Sequence, residues 1–192
     1  MRTVIGHAVR HQVAFVGPFG VGKTTAVHAV SDTDVVNTDV STRALPRPGS
    51  PRKATTTVGI DYGEWTTPAG VTIGVYGTPG QERFSPARRG AATKAHCVLW
   101  LFGNQPYGVD EGEEWLGYLG ADSWRRLTVA VSRLGERKGC PDLAAYGRMA
   151  HRFDKSIPVV AADPRERDDV ERVVLTALRG ADRRTARKAA SA

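Results

Sequence analysis

The stretch Gln12-Val13-Ala14-Phe15-Val16-Gly17-Pro18-Phe19-Gly20-Val21-Gly22-Lys23-Thr24-Thr25 decides the fold. Val13 to Val16 make a short apolar run of the length of a buried strand, and Gly17 and Pro18 end it. Four residues separate Gly17 from Gly22-Lys23-Thr24, and the helix-compatible run Thr25 to Val30 follows. Strand, glycine loop and helix therefore stand in the order that the Gly-x4-Gly-Lys-Ser/Thr pattern requires.

The physical meaning of that order is an anion site. Glycines let the backbone curl so that successive amide hydrogens point inward, and the helix N-terminus adds its positive dipole at the same spot. Lys23 would reach β- and γ-phosphates, and the Thr24 hydroxyl would take a position on Mg²⁺. Gly17, Phe19, Gly20, Val21, Gly22, Lys23, Thr24 and Thr25 are thus the candidate phosphate-site residues. The pattern selects a nucleoside triphosphate and is silent about its base.

Outward from this loop, apolar runs alternate with amphipathic stretches. Strands are expected at Gln12–Gly17, Val58–Thr66, Val71–Gly77, His96–Phe102, Leu127–Ser132 and Ile157–Ala161. Helices are expected at Lys23–Val30, near Pro86–Thr93, and at Glu111–Leu119, Asp142–Phe153 and Asp168–Leu178. Thr67-Pro68-Ala69-Gly70 is a hairpin turn, so the strands it joins should be antiparallel. The expected fold is an α/β P-loop NTPase with a six-stranded, mostly parallel sheet, one antiparallel edge strand and helices on both faces. Ser31 to Thr57, with Pro46, Pro48 and Pro51, is expected to be a long loop.

The chain has 192 residues, enough for one domain with a real core. Residues 1–11 are expected to be a flexible N-terminus, 12–178 the domain, and 179–192 a basic tail. Cys97 and Cys140 are far apart and lack zinc or disulfide spacing. No apolar run approaches the roughly 18 residues of a membrane span, and the first residues lack a signal-peptide core, so a cytoplasmic location is expected. The net charge is +7. Arg179, Arg183, Arg184, Arg187 and Lys188 place part of that excess in the tail, either as a solvated helix end or as a weak contact with an anionic membrane. No specific nucleic acid is expected.

Thr55, Thr56 and Thr57 precede Val58-Gly59-Ile60-Asp61-Tyr62-Gly63. A threonine there, Thr57 by choice, would donate to the γ-phosphate and place its oxygen on Mg²⁺. Further on, Gly77-Thr78-Pro79-Gly80-Gln81-Glu82-Arg83-Phe84 carries glycine where an Asp-x-x-Gly-Gln motif would carry aspartate. With these segments the chain resembles the Ras-like small GTPases. More closely, it is similar to the bacterial conservon-type and gliding-protein-type ATP/GTP-binding proteins that work beside Roadblock-domain partners. The likeness spans about residues 12 to 178 and is more specific in the first half.

The resemblance implies that the Gly80 amide meets the γ-phosphate and that Gln81 orients the attacking water. It implies GTP/GDP and Mg²⁺ as cofactors, with ATP left open, and a Roadblock-type or other regulatory protein as partner. Phe19 would crowd the entry of an external arginine, so either slow intrinsic turnover or an arginine of this chain is expected, with Arg43, Arg47, Arg52, Arg83, Arg88 and Arg89 available and each equally readable as a surface charge. On the base side, the Asn-Lys-x-Asp position holds Ser132-Arg133-Leu134-Gly135, without the carboxylate that reads guanine. Glu136 could substitute if the loop shifts. Ala161-Ala162-Asp163-Pro164-Arg165 matches the second base-side loop and makes Asp163 a candidate. Two functions stay open. One is a small GTP-binding switch with slow hydrolysis in bacterial signalling or polarity, and so a GTPase. The other is a degenerate scaffold with weak or base-unspecific nucleotide binding.

Overall fold

The computed structural model describes residues 11–42, 56–78 and 96–189, with the backbone alone for 37–42, 56–59 and 181–189. The strands are β1 (His11–Val16), β2 (Val36–Thr42), β3 (Thr56–Thr66), β4 (Thr72–Gly77), β5 (His96–Phe102), β6 (Leu127–Ser132) and β7 (Val159–Ala161). The helices are α1 (Lys23–Val30), α2 (Gly108–Leu119), α3 (Ala121–Trp124), α4 (Leu143–Phe153) and α5 (Arg167–Ala189). One seven-stranded sheet runs β2-β3-β4-β1-β5-β6-β7. The expected helix near Pro86–Thr93, together with Gly80 and Gln81, lies outside the described residues.

Strand alternation builds two core layers. Val13, Phe15, Val98 and Trp100 face the side covered by Ala26, Val27 and Val30 of α1 and by Val170, Val173 and Val174 of α5. Val16, Leu99, Leu101, Val129 and Val131 face the other side, under Trp115 and Leu116 of α2 and Tyr146 and Met149 of α4. Helices therefore cover both faces, as the sequence implied. Asp142 caps α4, accepting a hydrogen bond from the Ala145 amide at 2.8 Å.

Three expectations change. The sheet has seven strands rather than six, because Val36–Thr42 is a strand inside the segment expected to be a loop. The reason is visible in the residues: Val36, Thr38, Val40 and Thr42 alternate with Asn37, Asp39 and Ser41, a two-residue period rich in β-branched side chains. The prolines that argued for a loop come after it. The antiparallel strand is consequently not at the edge, since β3 pairs antiparallel with both β2 and β4. Finally, the last helix does not stop at Leu178, and its backbone continues through the basic residues to Ala189. Cys97 and Cys140 are free thiols, as their spacing suggested.

Candidate functional site

The loop between β1 and α1 is held open by three left-handed glycines, Gly17 (φ 137°), Gly20 (φ 77°) and Gly22 (φ 111°). Two of them also sit where no side chain fits. A Cβ on Gly17 would lie 2.2 Å from the Trp100 carbonyl oxygen, and one on Gly22 would lie 2.6 Å from Cγ of Pro164. The loop is thus clamped between β5 and the 161–165 segment. Val21 is buried in the core layer under α1 and α5, which anchors the loop from within. Phe19, by contrast, is 77% exposed at its tip.

α1 starts from Gly22 without a side-chain cap and without an acidic residue in its first turn. Its N-terminal amides and dipole therefore face the loop without an acidic side chain of the helix's own first turn beside them. Lys23 is 7% exposed, and its ammonium donates to the carbonyls of Gly17 at 2.9 Å and Pro18 at 2.7 Å. These contacts fold the lysine back over the loop that the sequence assigned to phosphates. Glu111 of α2 lies in the same region. Burial and then Glu114 push its carboxyl above the usual range, while the Lys23 charge pulls it down.

Thr24 and Thr25 are exposed on the first turn of α1. The Thr24 hydroxyl donates to Asp61 Oδ2 at 2.5 Å, across 37 residues of sequence. Asp61 stands on β3 directly opposite Gly77 of β4. Beyond Gly77, Thr78 is buried and fixes the end of β4 to β1, donating to the Phe15 carbonyl from its amide at 2.9 Å and its hydroxyl at 3.1 Å. Sequence reasoning assigned no role to Asp61. The signal was in the hairpin: with Thr66 opposite Thr72, equal steps along both strands bring Asp61 opposite Gly77.

The donors here fit a hard cation. A threonine hydroxyl and a carboxylate are oxygen ligands of the kind Mg²⁺ takes, with phosphate oxygens and water completing its shell. Among the described residues no group of three or more His, Cys, Asp or Glu gathers to hold a metal by itself. Thr57, the other expected metal ligand, is described by its backbone alone. Its backbone pairs with Ser41, and four residues of extended strand place it roughly 13 Å from Asp61.

The base-side candidates meet at the same end of the sheet, in the loops that follow β6 and β7. Ser132 is fully buried and donates to the Leu101 carbonyl at 3.2 Å, so its hydroxyl ties β6 to β5. Arg133 has φ 57° and stacks its guanidinium over the Phe102 ring, 5.3 Å from the centroid. Glu136 is exposed and accepts from Asn104 Nδ2 at 3.0 Å. Asp163 accepts from Arg165 Nε at 2.9 Å and Nη2 at 2.6 Å. Those side-chain bonds, then the Arg165 backbone amide, hold the Asp163 carboxyl down to about 2. Its own amide donates to Asp169 Oδ2 at 2.8 Å, closing the turn into α5.

A further concavity of about 370 Å³, lined by His11, Pro68, Ile73, His96, Leu175 and Leu178 among others, opens at the opposite end of the sheet. It lies at the N-terminal ends of β1, β4 and β5, away from every residue above.

Solved structures share this fold. The G domain of the T. maritima FeoB iron transporter superposes with a TM-score of 0.59 at 20% identity, over 89% of this chain and 98% of that one. The fold is that of a P-loop G domain. The cytosolic domain of the same transporter, solved in its GMPPNP form, matches with a TM-score of 0.58 at 19% identity. That match covers 88% of this chain but 63% of the FeoB cytosolic domain. No protein-family model matches the sequence, and no curated protein matches it either. Among the described residues, no helix is long and apolar enough to cross a membrane.

Proposed function

We propose that this G-domain fold is a small GTP-binding switch with slow hydrolysis, taking GTP or GDP with Mg²⁺ at the loop between β1 and α1. The observation that carries the reading is the joint geometry of that loop: three left-handed glycines, an uncapped helix start, and Lys23 folded over two loop carbonyls. A triphosphate would replace those carbonyls as the lysine's partners, exchanging neutral acceptors for charged ones. The amides of the loop and of the first α1 turn would hold the β-phosphate. Bound Mg²⁺ would neutralise charge on the β- and γ-phosphate oxygens, with Thr24 as a protein ligand.

Thr57 is proposed as a second ligand, which requires the β2–β3 ribbon to release its Ser41 pairing and swing toward α1. That requirement is itself a switch, because only a ligand with a γ-phosphate would favour the released state. Gly80 and Gln81 are proposed for γ-phosphate contact and water orientation, and a partner, of Roadblock type by resemblance, would read the two segments. A bacterial signalling or polarity role belongs to the same proposal, as does weak contact of the basic α5 end with anionic lipid.

One observation favours a second reading, a scaffold without base selectivity. Asp163 is paired through both oxygens with Arg165, and Glu136 accepts from Asn104 through Oε2, so each carboxylate already serves a donor of this chain. Titration of labelled GTP, ATP and GDP at fixed Mg²⁺, with phosphate release followed for the native chain and Gln81→Leu, separates the two. The switch reading expects GTP preferred over ATP and slower release in the variant. Equal affinities with unchanged release would leave the scaffold.

A further inference from the structure

We propose that Asp61 supplies the metal-side carboxylate that Gly77 lacks, so that the acidic group has moved across one rung of the sheet. This rests on the phosphate-site reading above and names a residue for it. Three observations converge. Asp61 and Gly77 are register partners in the β3–β4 ladder. Asp61 Oδ2 accepts from the Thr24 hydroxyl at 2.5 Å. A Cβ built on Gly77 would stand 3.6 Å from that same oxygen, 3.6 Å from Val27 Cγ2 and 3.8 Å from Asp61 Cβ, so the Asp61 carboxylate lies in direct contact with the place a side chain at 77 would start from.

The glycine is explained by the same geometry. Gly77 is not among the residues with positive φ, so its backbone does not call for glycine. What a larger acidic residue would do is bring a second carboxylate up against the Asp61 side chain and Val27. Position 77 therefore suits a small neutral residue once Asp61 holds the acid.

The hydrogen bond also has the right direction. A threonine hydroxyl has one proton and two lone pairs. Donating the proton to Asp61 leaves the lone pairs of Thr24 for a cation, and the carboxylate places negative charge beside that cation. Asp61 is thereby a positioning residue for Thr24 and an acidic neighbour of the ion.

The test is the Mg²⁺ dependence of nucleotide affinity, read with labelled GDP and GTP from EDTA to millimolar Mg²⁺. Mn²⁺ binding to the nucleotide-loaded protein, followed by electron paramagnetic resonance, reads the ion itself. Asp61→Asn is expected to weaken metal affinity roughly 10- to 100-fold, the range for lost partners of metal ligands, while affinity in EDTA stays near native. The swap Asp61→Gly with Gly77→Asp is expected to restore the metal dependence to within a few-fold of native. A native chain whose affinity rises with Mg²⁺, beside an Asp61→Asn chain that follows the same curve, overturns the inference alone. A swap that binds nucleotide in EDTA yet gains nothing from Mg²⁺ overturns it as well. A native chain with no nucleotide affinity at any Mg²⁺ overturns the phosphate-site reading and this inference with it.

Discussion

At the phosphate end of the site, Lys23, Thr24 and the glycine loop are held by backbone geometry and have polar groups that a ligand can take over. At the base end, Ser132, Arg133 and Asp163 spend their polar groups on the protein itself: on the Leu101 carbonyl, the Phe102 ring and Arg165. The first end is the one proposed to take a ligand's charge, whereas the second braces β5, β6 and α5. The contrast teaches that nucleotide binding and base choice can be carried by separable parts of one fold.

The most damaging way to break the phosphate end is Gly17→Ala. It forces a side chain into a left-handed conformation with its Cβ 2.2 Å from the Trp100 carbonyl oxygen. Backbone strain and overpacking together should cost roughly 2 to 5 kcal/mol, measured by urea unfolding. A loss below about 0.5 kcal/mol, the size of an ordinary surface change, would mean that the loop is not clamped as described. Next comes Lys23→Ala, expected to weaken triphosphate binding by about 1.5 to 3 kcal/mol, the worth of charge-assisted hydrogen bonds. Its fold should stay intact, as read by circular dichroism.

At the base end the effects shrink. Asp163→Ala should lower the ratio of GTP to ATP affinity by a few-fold and leave the summed affinity for triphosphates nearly unchanged. A large loss of affinity for both would show that the two ends are not separable. Smallest of all is Arg165→Ala. The native Asp163 carboxyl is held down to about 2 by Arg165, so the pair's stabilisation is complete above the ordinary carboxylate range. It is lost as pH falls through about 2, the folded value. Removing the arginine side chain should raise the Asp163 carboxyl toward the ordinary range in an NMR titration, short of a full return because the backbone amide of residue 165 still donates to it. It should leave stability at neutral pH close to native, because Arg165 is a fully solvated surface partner.

Much of this contrast was legible in the sequence. The Gly-x4-Gly-Lys-Thr pattern after an apolar run placed β1, the loop and α1, because its requirements are local. The β3–β4 hairpin followed from Thr67 to Gly70 for the same reason. β2 escaped because its alternating β-branched residues lie just before a proline-rich stretch, and the prolines outweighed the period. Asp61 escaped because its role depends on a partner across the hairpin and another 37 residues away in α1, which no single window shows. The engagement of Asp163 with Arg165, two residues on, is local, yet whether a side chain pairs with its neighbour or faces a ligand is a tertiary question. Thr57 is the instructive case: its position before Val58 suggested a metal ligand, and its backbone is a rung of the ladder with Ser41, a pairing across the proline-rich segment that no single window of sequence shows.

Hydrogen exchange of the native chain, with and without GTP or ATP at millimolar Mg²⁺, reads both ends of the site at once. Residues 17–25 should be strongly protected by both nucleotides, with any difference between them confined to residues 132–136 and 161–165. Unchanged exchange at residues 17–25 under saturating nucleotide would contradict the phosphate-site reading.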